Sequence, residues 1–583
     1  MKKLIFSILL LASTLLQASD IYVKPGESIA DAIRQARELR RLNDPSIEGG
    51  ITIHVAAGNY RIYEPLFLRP EDSGTPSSPT IIKGEGEVIV SGGVTVTGWK
   101  RQGKLMVADV PDFCGRPLDF RQFYVNGKKA VRARDIADFE DMYRIIRVDK
   151  QKRVLWVPAA AVRKIQKAPY AEMVLHEMWC VANLRIKDIM FAGDSAAVSF
   201  HDPESRIQFE HPWPCPMVTT DGHNSAFYLT NARELLDVPG EWYHDIRAGK
   251  LYYYPRQGEL IEEAVVPAVE TLLRVEGTLD RPVRNIRIEG LTFSYSTWMR
   301  PSLKGHVPLQ AGMYLTDAYK LRPQIVRSKN HKLDNQGWLG RPVSAVVVKA
   351  AQNIDFIKCD FRHLGSTGID YEWGTKGGSI ERCCFEDISG NGILTGSFSP
   401  EAHETHLPYD PADEREVCRA LNIVNNYITD VTNEDWGCVG IGAGYVRNMD
   451  ISHNEVCHLN YSGICVGWGW TSLESGMCNN RIEANYVHHF ARRLYDAGGL
   501  YTLSNQPGSV MRNNRIEHLI EAPYATNDRA FYIYLDEATD GYTIENNWCP
   551  TERFDSNRPG NRNVWKNNGP QVTESIKNKA GRI

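Results

Sequence analysis

Asparagine, then any residue, then an apolar one recurs through the second half of the chain: NYI at Asn426, NEV at Asn454, NYV at Asn485, NRI at Asn514 and NWC at Asn547. The intervals are 28, 31, 29 and 33 residues. CDF at Cys359 and CCF at Cys383 fill the same slot 24 residues apart, and LTF at Leu291 resembles it. A short polar turn and a glycine-containing, strand-like run follow each motif, as in TGIDYEW, NGILTG, CVGIGAG, SGICVGW and GGLYTL. Repeats of this length, rich in glycine and β-branched residues and without helical periodicity, predict an all-β fold: a right-handed parallel β-helix. Each coil of such a fold buries its apolar face only against its neighbours. An asparagine in one recurring slot has a use there, because stacked amides bond along the axis and satisfy the backbone at a sharp bend. A β-sandwich would instead favour alternating strands spaced by 8–12 residues.

The repeat does not extend over all 583 residues. The start, with two lysines, an apolar run from Leu4 to Leu16 and small residues at Ala18 and Ser19, is built like a secretory leader over residues 1–19, too short for a membrane span. Residues 20–117 are expected to hold a capping helix, with Ile29, Ile33 and Ala36 on one face, followed by the first coils. In residues 118–275, alternating strands joined by NG, PG and AG turns predict an inserted β-sandwich-like domain of antiparallel hairpins. The main β-helix is expected over 276–552, and the polar stretch 553–583 reads as a tail poor in strands.

Net charge is −4, with 67 basic and 71 acidic residues. No basic stripe is present, so nucleic acid is not an expected partner, and no later segment is apolar enough to span a membrane. Twelve cysteines occur in a chain expected to be exported, without CxxC spacing. Cys359, Cys383, Cys384, Cys457, Cys465 and Cys549 fall within the coils and read as free, small apolar fillers, and neither a metal nor a cofactor is expected.

Strands in neighbouring coils lie about 4.8 Å apart. Carboxylates one or two coils apart can therefore reach the separations glycosidases use, roughly 5–5.5 Å for retention and 6.5–9.5 Å for inversion. Asp496, in YDAGGLYTL, and Asp536, in FYIYLDEATDGYTIENN, are the candidate catalytic pair. Aligning the two segments on their shared ends sets Asp536 opposite Leu503, so a bend ahead of Gly498 is needed to bring Asp496 back toward its partner. Glu537, beside Asp536, is a further acid at the site. Trp468 and Trp470, on one face of VGWGW, are expected to form a shelf for sugar rings. Trp298, His306, Gln310 and Tyr501 complete the expected substrate-binding set. Asp370, Glu372, Glu434 and Asp435 are other acids that could face the groove.

The segments VSGGVTVTGW, QFYVNGKKAVRAR, LLDVPGEWYHD with LYYYP, GLTFSYSTWMRPSLKGHVPLQAG, YSGICVGWGW, DAGGLYTLSNQPG and YLDEATDGYTIENN together resemble glycoside hydrolase family 141 across nearly the whole chain. That resemblance implies a β-helix with a β-sandwich domain, secretion, and hydrolysis of complex plant polysaccharide, as α-L-fucosidase on pectic side chains or as xylanase. It also implies two catalytic aspartates, matching Asp496 and Asp536. The chain departs from the family pattern in the extra Ala497 before Gly498 and in Ala538 and Thr539, where Gly-Ser is usual. A calcium-dependent polysaccharide lyase, with Asp370 and Glu372 holding the ion, and a non-catalytic carbohydrate-binding solenoid are the rival readings from the residues.

Overall fold

The computed structural model describes residues 18–211, 213–317, 338–398, 405–522 and 529–583. Most of the expected leader, residues 1–17, lies outside them. Among the described residues, two parallel sheets of twenty and ten strands run the length of the chain, and no helix is long and apolar enough to cross a membrane. The helix Ile29–Arg41 covers the first coils, capped by Ser28, whose hydroxyl accepts from the Asp31 amide. Its buried face is Ile29, Ala32, Ile33 and Ala36.

Parallel, in-register stacking gives each coil position a constant environment. Phe293, Phe361 and Phe385 stack up the interior, the last two with ring centroids 4.5 Å apart. The asparagine slot works the same way. The side-chain oxygen of Asn454 accepts from both the backbone and side-chain nitrogens of Asn426, at 3.0 and 2.9 Å. Asn485, Asn514 and Asn547 repeat the pattern. Cys383 and Cys359 extend the ladder upstream, with the Cys359 amide on the Cys383 sulfur at 3.4 Å. Asn568 extends it downstream, accepting from both nitrogens of Asn547. The stretch after 552 is therefore more than a tail: Phe554–Ser556 and Val564–Lys566 add another parallel rung, and Asn568, just after them, ties that rung to Asn547 of the rung before. All twelve cysteines are free thiols, and seven are buried.

Between the early and main coils, sheets of four, five and seven strands run from Gly93–Thr95 to Ala264–Pro267, antiparallel except where Val131–Arg132 pairs in parallel with Glu241–Asp245. The NG turn has positive φ at Asn126 and Gly127, as a type I′ hairpin requires. This unit is locked to the coils by Lys129, whose ammonium reaches Ser389, Asn433 and Glu434, each at 2.9 Å. At the unit's core Arg121 and Arg132 share the buried carboxylate of Glu172.

Candidate active site

Ala497–Thr502 and Ala530–Leu535 are neighbouring parallel strands of the ten-stranded sheet. Leu500 and Ile533 point into the core, so Tyr501 and Tyr534, paired across the strands, point out, with rings edge to face at 5.2 Å. Asp536 follows Leu535, and its amide donates to the Thr502 carbonyl, so it falls opposite Leu503, as the sequence alignment implied. The bend that returns Asp496 lies ahead of Gly498, at Asp496 itself, in the left-handed region at φ 58°. Gly499 serves close packing instead: a Cβ there would meet Ile516 at 2.5 Å.

The two carboxylates converge on the tyrosine pair. The Tyr501 hydroxyl donates to Oδ2 of Asp536, whose Oδ1 accepts from Asn557 at 2.9 Å. Oδ1 of Asp496 accepts from the Arg529 guanidinium at 2.7 Å and from the Tyr534 hydroxyl at 3.3 Å. Arg529 also donates to that hydroxyl at 2.5 Å. Gln310 ties the two halves together. Its amide donates to the Tyr501 hydroxyl at 2.9 Å and to the Tyr461 hydroxyl at 3.4 Å, and Tyr461 donates to the Asp496 carbonyl at 3.0 Å.

Burial raises the pKa of Asp496, and the charge of Asp536 raises it further, while Arg529 and Tyr534 oppose both. A carboxyl with raised proton affinity is what a general acid requires. Glu537 is raised in the same way, by burial and then by Asp536. It shares Asn557 with Asp536, at 3.2 Å.

The remaining predicted residues divide into separate places. Trp470 is half-buried and packs 5.7 Å from His406, which acts electrostatically on Glu537, so this tryptophan flanks the acids. Trp468 is not an open shelf: it is 1% exposed, packed edge-on against Phe398, because the second glycine of VGWGW, Gly469, turns the chain at φ 80° and breaks the alternation. Trp298 and His306 do not join the pair either. They line a cavity of about 320 Å³ between the inserted unit and the coils, with Asp387, Glu434 and Asp435, and His306 sits 3.2 Å from Asp435. The loop carrying them also carries Gln310, and only its far end reaches Tyr501. Asp370 is completely buried and held by Arg341 through both oxygens, so it does not face an open groove.

Sequence reasoning missed the inserted unit's share in the site. Trp213 meets Trp470 edge to face at 5.5 Å, and His176 stacks on Tyr495, next to Asp496, at 5.6 Å. The one signal was HPWPCP, an aromatic residue set among prolines inside a run of hairpins.

A β-helix whose outer wall holds two electrostatically coupled carboxylates between tyrosines has the equipment of a glycosidase. A solved structure described as "Glycoside hydrolase" shares 57% identity, covering 97% of this chain and 99% of its own, with a TM-score of 0.94. Residues 103–256 match the GH141 insertion domain. The chain belongs to glycoside hydrolase family 141 and is a glycosidase. A structure titled "The complex structure of XylC with xylose" is similar at 12% identity over 93% of this chain and 70% of that one, with a TM-score of 0.48, too distant to bear on substrate. No curated protein matches the chain by sequence.

Proposed function

We propose that the protein is an exported α-L-fucosidase acting on complex plant cell-wall polysaccharide, with Asp496 as general acid and Asp536 as base or nucleophile. The convergence of both carboxylates on Tyr501 and Tyr534, from strands one rung apart, carries this reading. Asp496, with its raised proton affinity, is suited to protonate the leaving glycosidic oxygen. Asp536 accepts from Tyr501 and Asn557, which orients a carboxylate toward water or the anomeric carbon. Fucose is preferred because the family resemblance implies it, and because the aromatic edge of Trp213 and Trp470 suits a sugar that carries a methyl group. The leader-like start supports export.

The test is a panel of 4-nitrophenyl glycosides, α-L-fucoside and β-D-xyloside first, followed by fucosylated pectic oligosaccharides with their natural leaving groups. Fucose release is expected, falling by roughly 10²-fold or more in Asp496→Asn and in Asp536→Asn while circular dichroism is unchanged. Release of xylose alone would replace the fucosidase reading. Undiminished turnover in both variants would remove the aspartates from the chemistry.

A further inference from the structure

The absence of CxxC spacing gave no reason to expect a metal, yet stacked coils bring ligand types from separate turns side by side. Glu455 and Cys457 lie on one strand of the long sheet, Glu455–Cys457, and His488 lies on the next, Tyr486–Phe490, directly opposite Cys457. Val456 and Val487 point into the core, so all three polar side chains point outward. One oxygen of Glu455, the sulfur of Cys457 and a ring nitrogen of His488 lie within 4.8 Å of one another.

The histidine is the second observation. His488 is 8% exposed, and its Nε2 has no hydrogen-bond partner among the described residues, lying 3.6 Å from Glu455. A buried polar nitrogen left without a partner costs as much as a lost hydrogen bond, so such an orphan marks a place where a ligand belongs. Its other nitrogen, Nδ1, sits 2.7 Å from Nδ1 of His489. When His488 donates in that contact, Nε2 presents a lone pair toward Glu455 and Cys457, which is the tautomer a metal takes.

We infer that Glu455, Cys457 and His488 form a site for a thiophilic divalent cation, zinc above all. A sulfur, a nitrogen and a single carboxylate suit zinc, whereas calcium and magnesium take shells of oxygen. Donor atoms around tetrahedral zinc stand about 3.5 Å apart, so side-chain shifts on the order of 1 Å close the shell. Binding replaces the thiol proton of Cys457 with the metal–sulfur bond, and the proton leaves to solvent. Arg582 donates to Glu455 Oε2 at 3.3 Å, which leaves Oε1 for the cation, and the Gly581 amide anchors that segment on Ala484 at 2.8 Å. The ion would staple two adjacent coils immediately before the loop that presents Asp496.

The full-length protein, reduced and treated with chelator, is titrated with zinc against a chromophoric chelator, and separately with cobalt(II). The expected result is one tight equivalent of zinc, a raised melting temperature that calcium and magnesium do not reproduce, and a sulfur-to-cobalt charge-transfer band. His488→Ala and Cys457→Ser should each weaken binding at least tenfold, and Cys457→Ser should abolish the band. Absence of the band in the unmodified protein overturns the site whether or not the variants fold. Zinc binding that persists unchanged in both variants overturns it equally. Neither outcome bears on the aspartate pair, since the readouts are independent of turnover.

Discussion

Replacing Asn485 with alanine removes the middle of the asparagine ladder, and the cost follows from its hydrogen bonds. Its oxygen accepts from the backbone and side-chain nitrogens of Asn454 at 3.0 and 2.9 Å. Its amide donates to the Ile451 carbonyl at 2.8 Å and to Asn514 at 3.0 Å. Asn454 Nδ2 keeps its bond to the Ile423 carbonyl, and Asn514 Oδ1 keeps the Asn485 amide. The Asn454 backbone N–H is left without an acceptor in a slot of zero exposure. Three lost bonds at about 0.5–1.5 kcal/mol each and one stranded buried donor at about 1–3 kcal/mol give an expected loss of roughly 2.5–7.5 kcal/mol. Asn568→Ala, at the last rung, likewise strands the Asn547 N–H but removes one donor contact where Asn485 has two, and should cost less by about 0.5–1.5 kcal/mol. Repeat stacks do not guarantee two-state unfolding. The assay is therefore hydrogen exchange by mass spectrometry over residues 449–460, alongside the melting temperature. Protection in that segment should collapse in Asn485→Ala. Unchanged exchange, with a melting shift no larger than that of Asn568→Ala, would refute the idea that the ladder holds the coils in register.

Arg529 lowers the pKa of Asp496, so Arg529→Met should raise it further. A general acid works protonated; the alkaline limb of the pH–rate profile should then move to higher pH, and a move to lower pH would reverse the assigned role. Glu177 is buried, with its pKa raised from 4.5 to about 8. The native state therefore holds a proton that the unfolded chain releases, so this group's stabilising effect is full below about pH 4.5 and is lost as pH rises toward about 8. Denaturation midpoints measured across that window should fall with pH, by at most about 1.4 kcal/mol per pH unit from this group. Glu177→Gln should flatten the slope, and an equal slope in the variant would place its origin elsewhere.

The asparagine spacing was enough to read the β-helix, because a coil meets only its two neighbours and each repeat carries what those contacts need: an inward aliphatic pair, a glycine where packing is close, an amide at the bend. Even the substitution of Cys359 and Cys383 for asparagine was legible from their slot. Asn568 was missed because the final rung has too little strand signal of its own and is held by the rung before it. Asp496 and Asp536 were recognisable as acids in a repeated setting, but the turn at Asp496 was not, since a left-handed aspartate has no spelling different from an extended one. What lies over the outer walls was decided by tertiary structure alone. Gln310 reaches Tyr501 while Trp298 and His306, on the same loop, face another cavity, and Trp213 arrives from a different unit. Glu455, Cys457 and His488 meet only because one coil's length in residues sets the strand register. Contacts along the stack repeat and leave a period in the sequence; contacts across it are made once, by segments far apart in the chain, and leave none.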